Sequence, residues 1–185
     1  MTPIHGIVKT NELTPAEYRR FLDAVSQNEE VVKIKNGVYA TLDALANDTF
    51  DIDRIIPGGI LCMYSAWSYY GMTTQVPDSF YVAIDRKRKV RLPSMPAITL
   101  VYINSQNLNL GIAKEKFGDC ETLIYDRERC VCDAIKYRNK IGIDVMAEII
   151  TWYLKYPKRD LDKLCRHASS LRVLNILKRF LEIYV

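Results

Sequence analysis

The chain has 185 residues, with Lys+Arg 26 against Asp+Glu 22, 49% hydrophobic and 26% charged side chains, and only 8 glycines and 7 prolines. That composition excludes the disordered, collagen-like and low-complexity classes, and the length fits one domain or a small module attached to a main one. The net charge of +4 is unevenly placed: residues 1–40 balance five basic against five acidic side chains, whereas residues 136–180 hold eleven against four.

Met1 to Ile7 lacks a basic segment followed by an apolar one, so no signal peptide is expected and the chain is assigned to the cytoplasm. The five cysteines, Cys62, Cys120, Cys130, Cys132 and Cys165, are odd in number and follow no framework spacing, which fits reduced thiols.

Thr14-Pro15-Ala16-Glu17 supplies a capping hydroxyl, a proline at the first helical position and a glutamate three residues after the cap. A helix is predicted from there, with Tyr18, Phe21, Leu22 and Val25 on one apolar face. Val31 to Lys35 and Val38 to Thr41 flank Asn36-Gly37, the strongest short hairpin signal, in which both turn residues are expected at positive φ. Residues 42–54 read as a short helix or linker, and the module boundary is placed there.

Ile55 to Pro77 is a run of 23 uncharged residues. It is long enough to cross a bilayer, but its prolines, glycines and hydroxyl side chains argue against that, so no membrane partner is expected. The run is read as a buried helix over Ile60 to Tyr70, closed by Gly71 as a left-handed cap. Strands are predicted at Phe80 to Ile84, Ala97 to Ile103, Gly111 to Phe117 and Thr122 to Tyr125, forming a sheet of three to five strands. Helices follow at Asp126 to about Lys140, Asp144 to Tyr156, Asp160 to about Ser169 and Leu171 to Tyr184.

No phosphate-cradling glycine loop is present, and two histidines, His5 and His167, leave little material for acid–base chemistry. Cys130-x-Cys132 on a helix would point its thiols about 200° apart, so a zinc site is disfavoured, and no metal or cofactor is expected. Asp126 and Glu128, at a strand end and one turn on, admit a Mg²⁺-dependent nuclease site. The structural alternative is stronger, because Asp126 sits where a helix N-cap belongs and Glu128 in the first turn.

Two groups of basic residues are candidates for contact with DNA. Arg19 and Arg20 lie on the exposed side of the first helix, with Lys33, Lys35 and Asn36 at the tip of the wing that follows, a geometry that can lay side chains along a groove and its phosphates. Arg86, Lys87, Arg88 and Lys89 form a basic turn after the strand ending at Ile84, read either as a solvated loop or as a contact for phosphate or an acidic protein surface. The five acidic residues of the first forty weaken the first module's own attraction to DNA.

Four segments resemble the AbiEi-type antitoxin family of type IV toxin-antitoxin (abortive infection) systems. They are Val32 to Ala40; Ser65-Ala66-Trp67 with Tyr70-Gly71-Met72-Thr73; Leu123 to Arg129 with Asp133; and Arg159 to Leu164 followed by Ala168 and Leu171. The resemblance implies a winged helix-turn-helix that binds promoter DNA, and a C-terminal α/β domain that counteracts a nucleotidyltransferase toxin, both roles being non-enzymatic. Only thirteen residues precede Thr14, which implies a truncated module and leaves Tyr18, Phe21 and Leu22 to be covered by the main domain.

The expected architecture is therefore α+β. A truncated winged-helix module in residues 1–50 is followed by an α/β domain in residues 51–185 with a helical C-terminal region. Tyr125, Asp126, Arg127, Glu128, Arg129 and Asp133 stand at the family motif, in a structural or toxin-related role. The alternatives are a winged-helix transcriptional regulator without an antitoxin role and a metal-dependent nuclease.

Overall fold

A computed structural model describes residues 7–27, 31–41, 52–93, 95–117 and 120–184. The fold is α+β and contains two sheets. The first is three-stranded and antiparallel, in the order β1-β3-β2, from β1 (Ile7–Lys9), β2 (Val31–Lys35) and β3 (Val38–Thr41), with helix α1 (Pro15–Gln27) between β1 and β2.

α1 begins as its capping residues dictate. The Thr14 backbone N–H donates to Glu17 Oε2 at 2.9 Å, and the Glu17 N–H returns a longer bond to Thr14 Oγ1 at 3.4 Å. The hairpin differs from expectation in its turn. Gly37 alone of the two turn residues has positive φ, at +78°, and the register slips between Lys33 and Lys35. A bulge supplies the twist that a second left-handed residue would have given, so Asn36 avoids that conformation.

β1 was not foreseen. Three residues without turn chemistry at their start carry little signal alone, and the strand exists because β3 offers it a free edge, pairing Val8 with Tyr39. Phe21 is buried edge-on against Tyr39, with ring centroids 4.9 Å apart, whereas Tyr18 and Leu22 stay 40% and 43% exposed. The hairpin thus supplies the cover expected from the main domain, and only for Phe21. Of the predicted linker, residues 42–51 lie outside the described residues; 52–55 form the short helix α2 (Ile52–Ile55).

The second sheet is mixed, in the order β6-β5-β4-β8-β7. Its strands are β4 (Ile60–Leu61), β5 (Phe80–Asp85), β6 (Ile98–Ile103), β7 (Ile112–Phe117) and β8 (Cys120–Tyr125). Four of the five match predicted strands. β4 corrects the expected helix: Ile60 and Leu61 are extended and buried, and Leu61 pairs with Val82 of β5 on one side and Ile124 of β8 on the other. An uncharged run buried on all sides has no periodicity to separate strand from helix.

Helix α3 (Met63–Tyr69) occupies only the rest of that run, entered through Met63 at φ +46°. It closes as predicted, with Gly71 at φ +66° and the Met72 N–H reaching back to Trp67 O at 2.8 Å.

A single-turn helix α4 (Ser105–Leu108) lies on the crossover from β6 to β7. The C-terminal region is helical as expected, with α5 (Arg127–Ile141), α6 (Ile143–Lys155), α7 (Leu161–Ser170) and α8 (Leu174–Tyr184). Gly142 at φ +94° separates α5 from α6. The core under these helices contains Trp67, Tyr125 and Tyr153, all fully buried, with Val131, Ile135, Ile149 and Leu177. No helix among the described residues is long and apolar enough to cross a membrane.

Candidate functional site

The motif residues lie where β8 hands the chain to α5. Asp126 is the N-cap: its Oδ1 accepts the Arg129 backbone N–H at 2.7 Å, satisfying a donor that the helix itself cannot. Its other oxygen faces α7, 3.1 Å from Lys163 Nζ and 3.3 Å from His167 Nε2. Glu128, one turn on, is 3.0 Å from the same Lys163 Nζ and accepts a 2.8 Å hydrogen bond from the Tyr153 hydroxyl of α6. Asp160 caps α7 through the Lys163 N–H at 2.8 Å, and its own N–H donates to the Tyr153 hydroxyl at 2.9 Å. Two carboxylates at the N-terminus of α5 therefore reach α7 through Lys163, and a third caps α7 itself, where both helix dipoles favour negative charge.

The electrostatics follow from burial set against these partners. Burial alone would raise the Asp126 carboxyl, yet His167, the Arg129 N–H and Lys163 together hold it below the usual carboxylate range. Burial works to lower the Lys163 ammonium, while Glu128 and Asp126 raise it above an ordinary lysine. Burial and the bond to Glu128 push the Tyr153 hydroxyl far up.

A carboxyl with a depressed folded pKa contributes stability that is present above its unfolded pKa and lost as pH falls through the folded one. Asp126→Asn keeps a capping oxygen but removes the charge. It is expected to lower the urea midpoint at pH 7, to begin converging on the parent as pH falls below about 4, the ordinary aspartate pKa, and to meet it only below the depressed folded pKa. A deficit of equal size at pH 7 and pH 3 would show that the charge contributes nothing.

Tyr125, Arg129 and Asp133 are buried and bonded within the fold. Arg129 is 0% exposed, and its Nε lies 3.0 Å from Oδ1 of Asp133, itself 2% exposed. Its Nη1 donates to the carbonyls of Asn107 at 2.7 Å and Leu110 at 2.9 Å, and its guanidinium sits 4.2 Å from the centre of the Tyr125 ring. The Tyr125 hydroxyl donates to Leu108 O at 2.8 Å. One arginine and one tyrosine therefore tie the β6–β7 crossover to α5.

Gly111 at the end of that crossover has φ +76°, and a Cβ there would lie 2.7 Å from Arg129 Cβ and 3.1 Å from both Asp126 Oδ1 and His167 Nε2. Arg127 is different again. Its guanidinium lies 4.1 Å from the centre of the Tyr70 ring and 4.9 Å from that of Tyr156, on which Trp152 stacks.

The predicted DNA-contacting residues lie elsewhere. Arg19 and Arg20 are exposed on α1, as are Lys33 on β2 and Asn36 in the turn; Lys35 is placed by its backbone in β2, and its side chain is outside the described residues. Arg86, Lys87 and Lys89 are exposed and Arg88 is half-buried in the turn after β5. Among the described side chains, none of them contacts the Asp126–Glu128–Lys163–His167 cluster by a hydrogen bond or an ion pair.

Lys163, His167, Tyr153 and Gly111 carry no site signal in the sequence beyond the spacing of four between Lys163 and His167, which puts both on one face of α7 beside the buried Leu164 and Ala168. Their partner carboxylates are distant in sequence, so spacing could not name them.

Cys62, Cys130 and Cys132 are buried. Burial pushes Cys62, Cys130 and Cys132 well above the usual thiol range, and the Cys130 and Cys132 sulfurs point at the carbonyls of Tyr125 and Leu164. Among the described residues no group of three or more His, Cys, Asp or Glu side chains is placed to hold a metal ion. No protein-family model matches the sequence, and no curated protein matches it.

Proposed function

We propose that this is a cytoplasmic, non-enzymatic antitoxin of the AbiEi type, which counteracts a nucleotidyltransferase toxin and regulates its own operon by contacting promoter DNA. The reading is carried by one observation: three of the four segments that bear the resemblance are bonded to one another in space. Arg127 lies over the Tyr70 ring, and Lys163 bridges Asp126 and Glu128. The carboxylates that could have served a nuclease are engaged by Lys163, His167 and Tyr153, which favours binding over turnover.

Expressed with the nucleotidyltransferase encoded by the neighbouring reading frame, the chain is expected to restore colony formation to the level of a toxin-free control. Continued growth arrest in the presence of folded protein would refute the antitoxin role. A second reading, a DNA-binding regulator alone, is favoured by the exposed Arg19, Arg20 and Lys33, none of which makes an ion pair with a described residue. Promoter repression without rescue is its signature.

A further inference from the structure

We propose that the face formed by the turn after β5 and the C-terminal half of α5 binds the phosphate backbone of nucleic acid. This deepens the DNA-binding part of the reading above by giving the main domain its own contact, made by Lys136 and Lys140 beside the basic turn.

The turn is built rather than loose. The Arg86 N–H is fixed to Ile103 O at 2.8 Å, the Arg88 N–H to Asp85 O at 2.9 Å and the Lys87 N–H to Asp85 Oδ1 at 2.8 Å. Strand directions bring α5 to it. β4 runs parallel to β8 and antiparallel to β5, so the end of β5 lies at the same edge of the sheet as the start of β8. α5, leaving the far end of β8, returns toward that edge.

Tyr137 is the ring that both lysines of α5 approach. Lys136 Nζ and Lys140 Nζ each lie 5.9 Å from its centre. Burial and the Asp133 carboxylate push its hydroxyl up, against the pull of the Arg129 and Arg86 guanidinium groups.

Little of the charge here is paired. Arg86, Lys87, Arg88, Lys89, Lys136 and Lys140 make no ion pair with any described residue, and Lys87 and Lys136 feel the Asp85 and Asp133 carboxylates only at longer range. Asp85 accepts from the Lys87 N–H and the Ser105 hydroxyl, and Asp53 accepts from Gly58 N–H at 2.7 Å. Asp133 is buried against Arg129.

Long, unanchored cations spread over a turn and a helix can follow an evenly charged polymer, each releasing a counterion as it meets a phosphate. Specific protein interfaces, by contrast, are depleted in lysine. A phosphodiester backbone is therefore the ligand this face fits.

The test is fluorescence anisotropy of the full chain with a mixed-sequence DNA duplex and with a single-stranded RNA, titrated with salt. Each cation removed is expected to lower the slope of log K against log salt by about one, so Arg86→Ala/Lys136→Ala/Lys140→Ala together lower it by about three. Lys114→Ala, which removes a cation already paired with Glu121 at 2.7 Å, serves as the control and leaves the slope unchanged.

Whichever nucleic acid gives the larger triple-variant effect is the source. A slope that falls for Lys33→Ala but not for the triple variant overturns the inference and leaves the wing's DNA contact standing. A slope that falls for the triple variant alone supports the inference and removes the wing. No binding of either nucleic acid at low salt overturns both, and displacement by polyglutamate as efficient as by nucleic acid overturns the inference in favour of an acidic protein surface.

Discussion

Asp133→Ala is expected to destabilise the fold by about 3–5 kcal/mol, the range for breaking a buried ion pair by removing one partner. Arg129 is 0% exposed and, among the described residues, Asp133 is the only carboxylate bonded to it, so the variant leaves a buried guanidinium without that counter-charge. The two carbonyls at Nη1 remain, but Nη2 already lacks a partner and cannot offset the loss.

Asp133→Asn separates charge from hydrogen bonding, because it retains an acceptor at the position of Oδ1. A loss as large as that of alanine assigns the effect to charge, and a much smaller one assigns it to the hydrogen bond. Arg129→Met in the Asp133→Leu background is expected to recover only part of the stability: a buried pair replaced by apolar side chains of similar size is often neutral, but the Asn107 and Leu110 carbonyls lose their donor. Urea unfolding followed by circular dichroism reads all three, and an alanine variant within 1 kcal/mol of the parent would contradict the burial of this pair.

Gly111→Ala is the second large effect, at about 2–5 kcal/mol. A left-handed residue with a side chain costs about 1–2 kcal/mol, and overpacking adds about 1–3 kcal/mol. The crowding is backbone-proximal: the new methyl would lie 2.7 Å from Arg129 Cβ, which cannot rotate away. It would also press on Asp126 Oδ1 and His167 Nε2, so the helix cap and the contact to α7 are disturbed together.

Gly71→Ala is the matched control. Its φ of +66° is similarly left-handed, but nothing lies within 4 Å of the added carbon, so only the conformational cost of about 1–2 kcal/mol is expected. Equal losses at the two positions would mean that Gly111 is required for its backbone angle alone.

These variants bear on the antitoxin reading. Arg129, Asp133, Tyr125 and Gly111 hold the β6–β7 crossover against α5, so their substitution should lower the amount of folded protein and weaken rescue in proportion. The basic turn and the outer residues of α5 are exposed, and their substitution should leave folding intact while changing nucleic-acid affinity. The two classes of variant therefore distinguish framework from contact surface.

What the sequence by itself determined was local. The capping box at Thr14 and Glu17, the Asn36-Gly37 turn, the cap at Gly71 and the strands ending at Ile103 and Tyr125 each depend on residues within a few positions of one another. Their geometry follows from backbone sterics and from hydrogen bonds that close over one turn. The position of Asp126 as an N-cap was legible for the same reason.

Only the tertiary structure decided the rest. Whether Ile60 and Leu61 are strand or helix depends on Val82 and Ile124, and whether Ile7 to Lys9 form a strand depends on the free edge of β3. The partners of Asp126 lie 37 and 41 positions away on α7. An amphipathic pattern shows that a side chain faces inward but not which distant charge it will meet. That meeting is fixed by sheet order and helix packing, because a buried carboxylate is stable only where the fold delivers a cation within hydrogen-bonding distance.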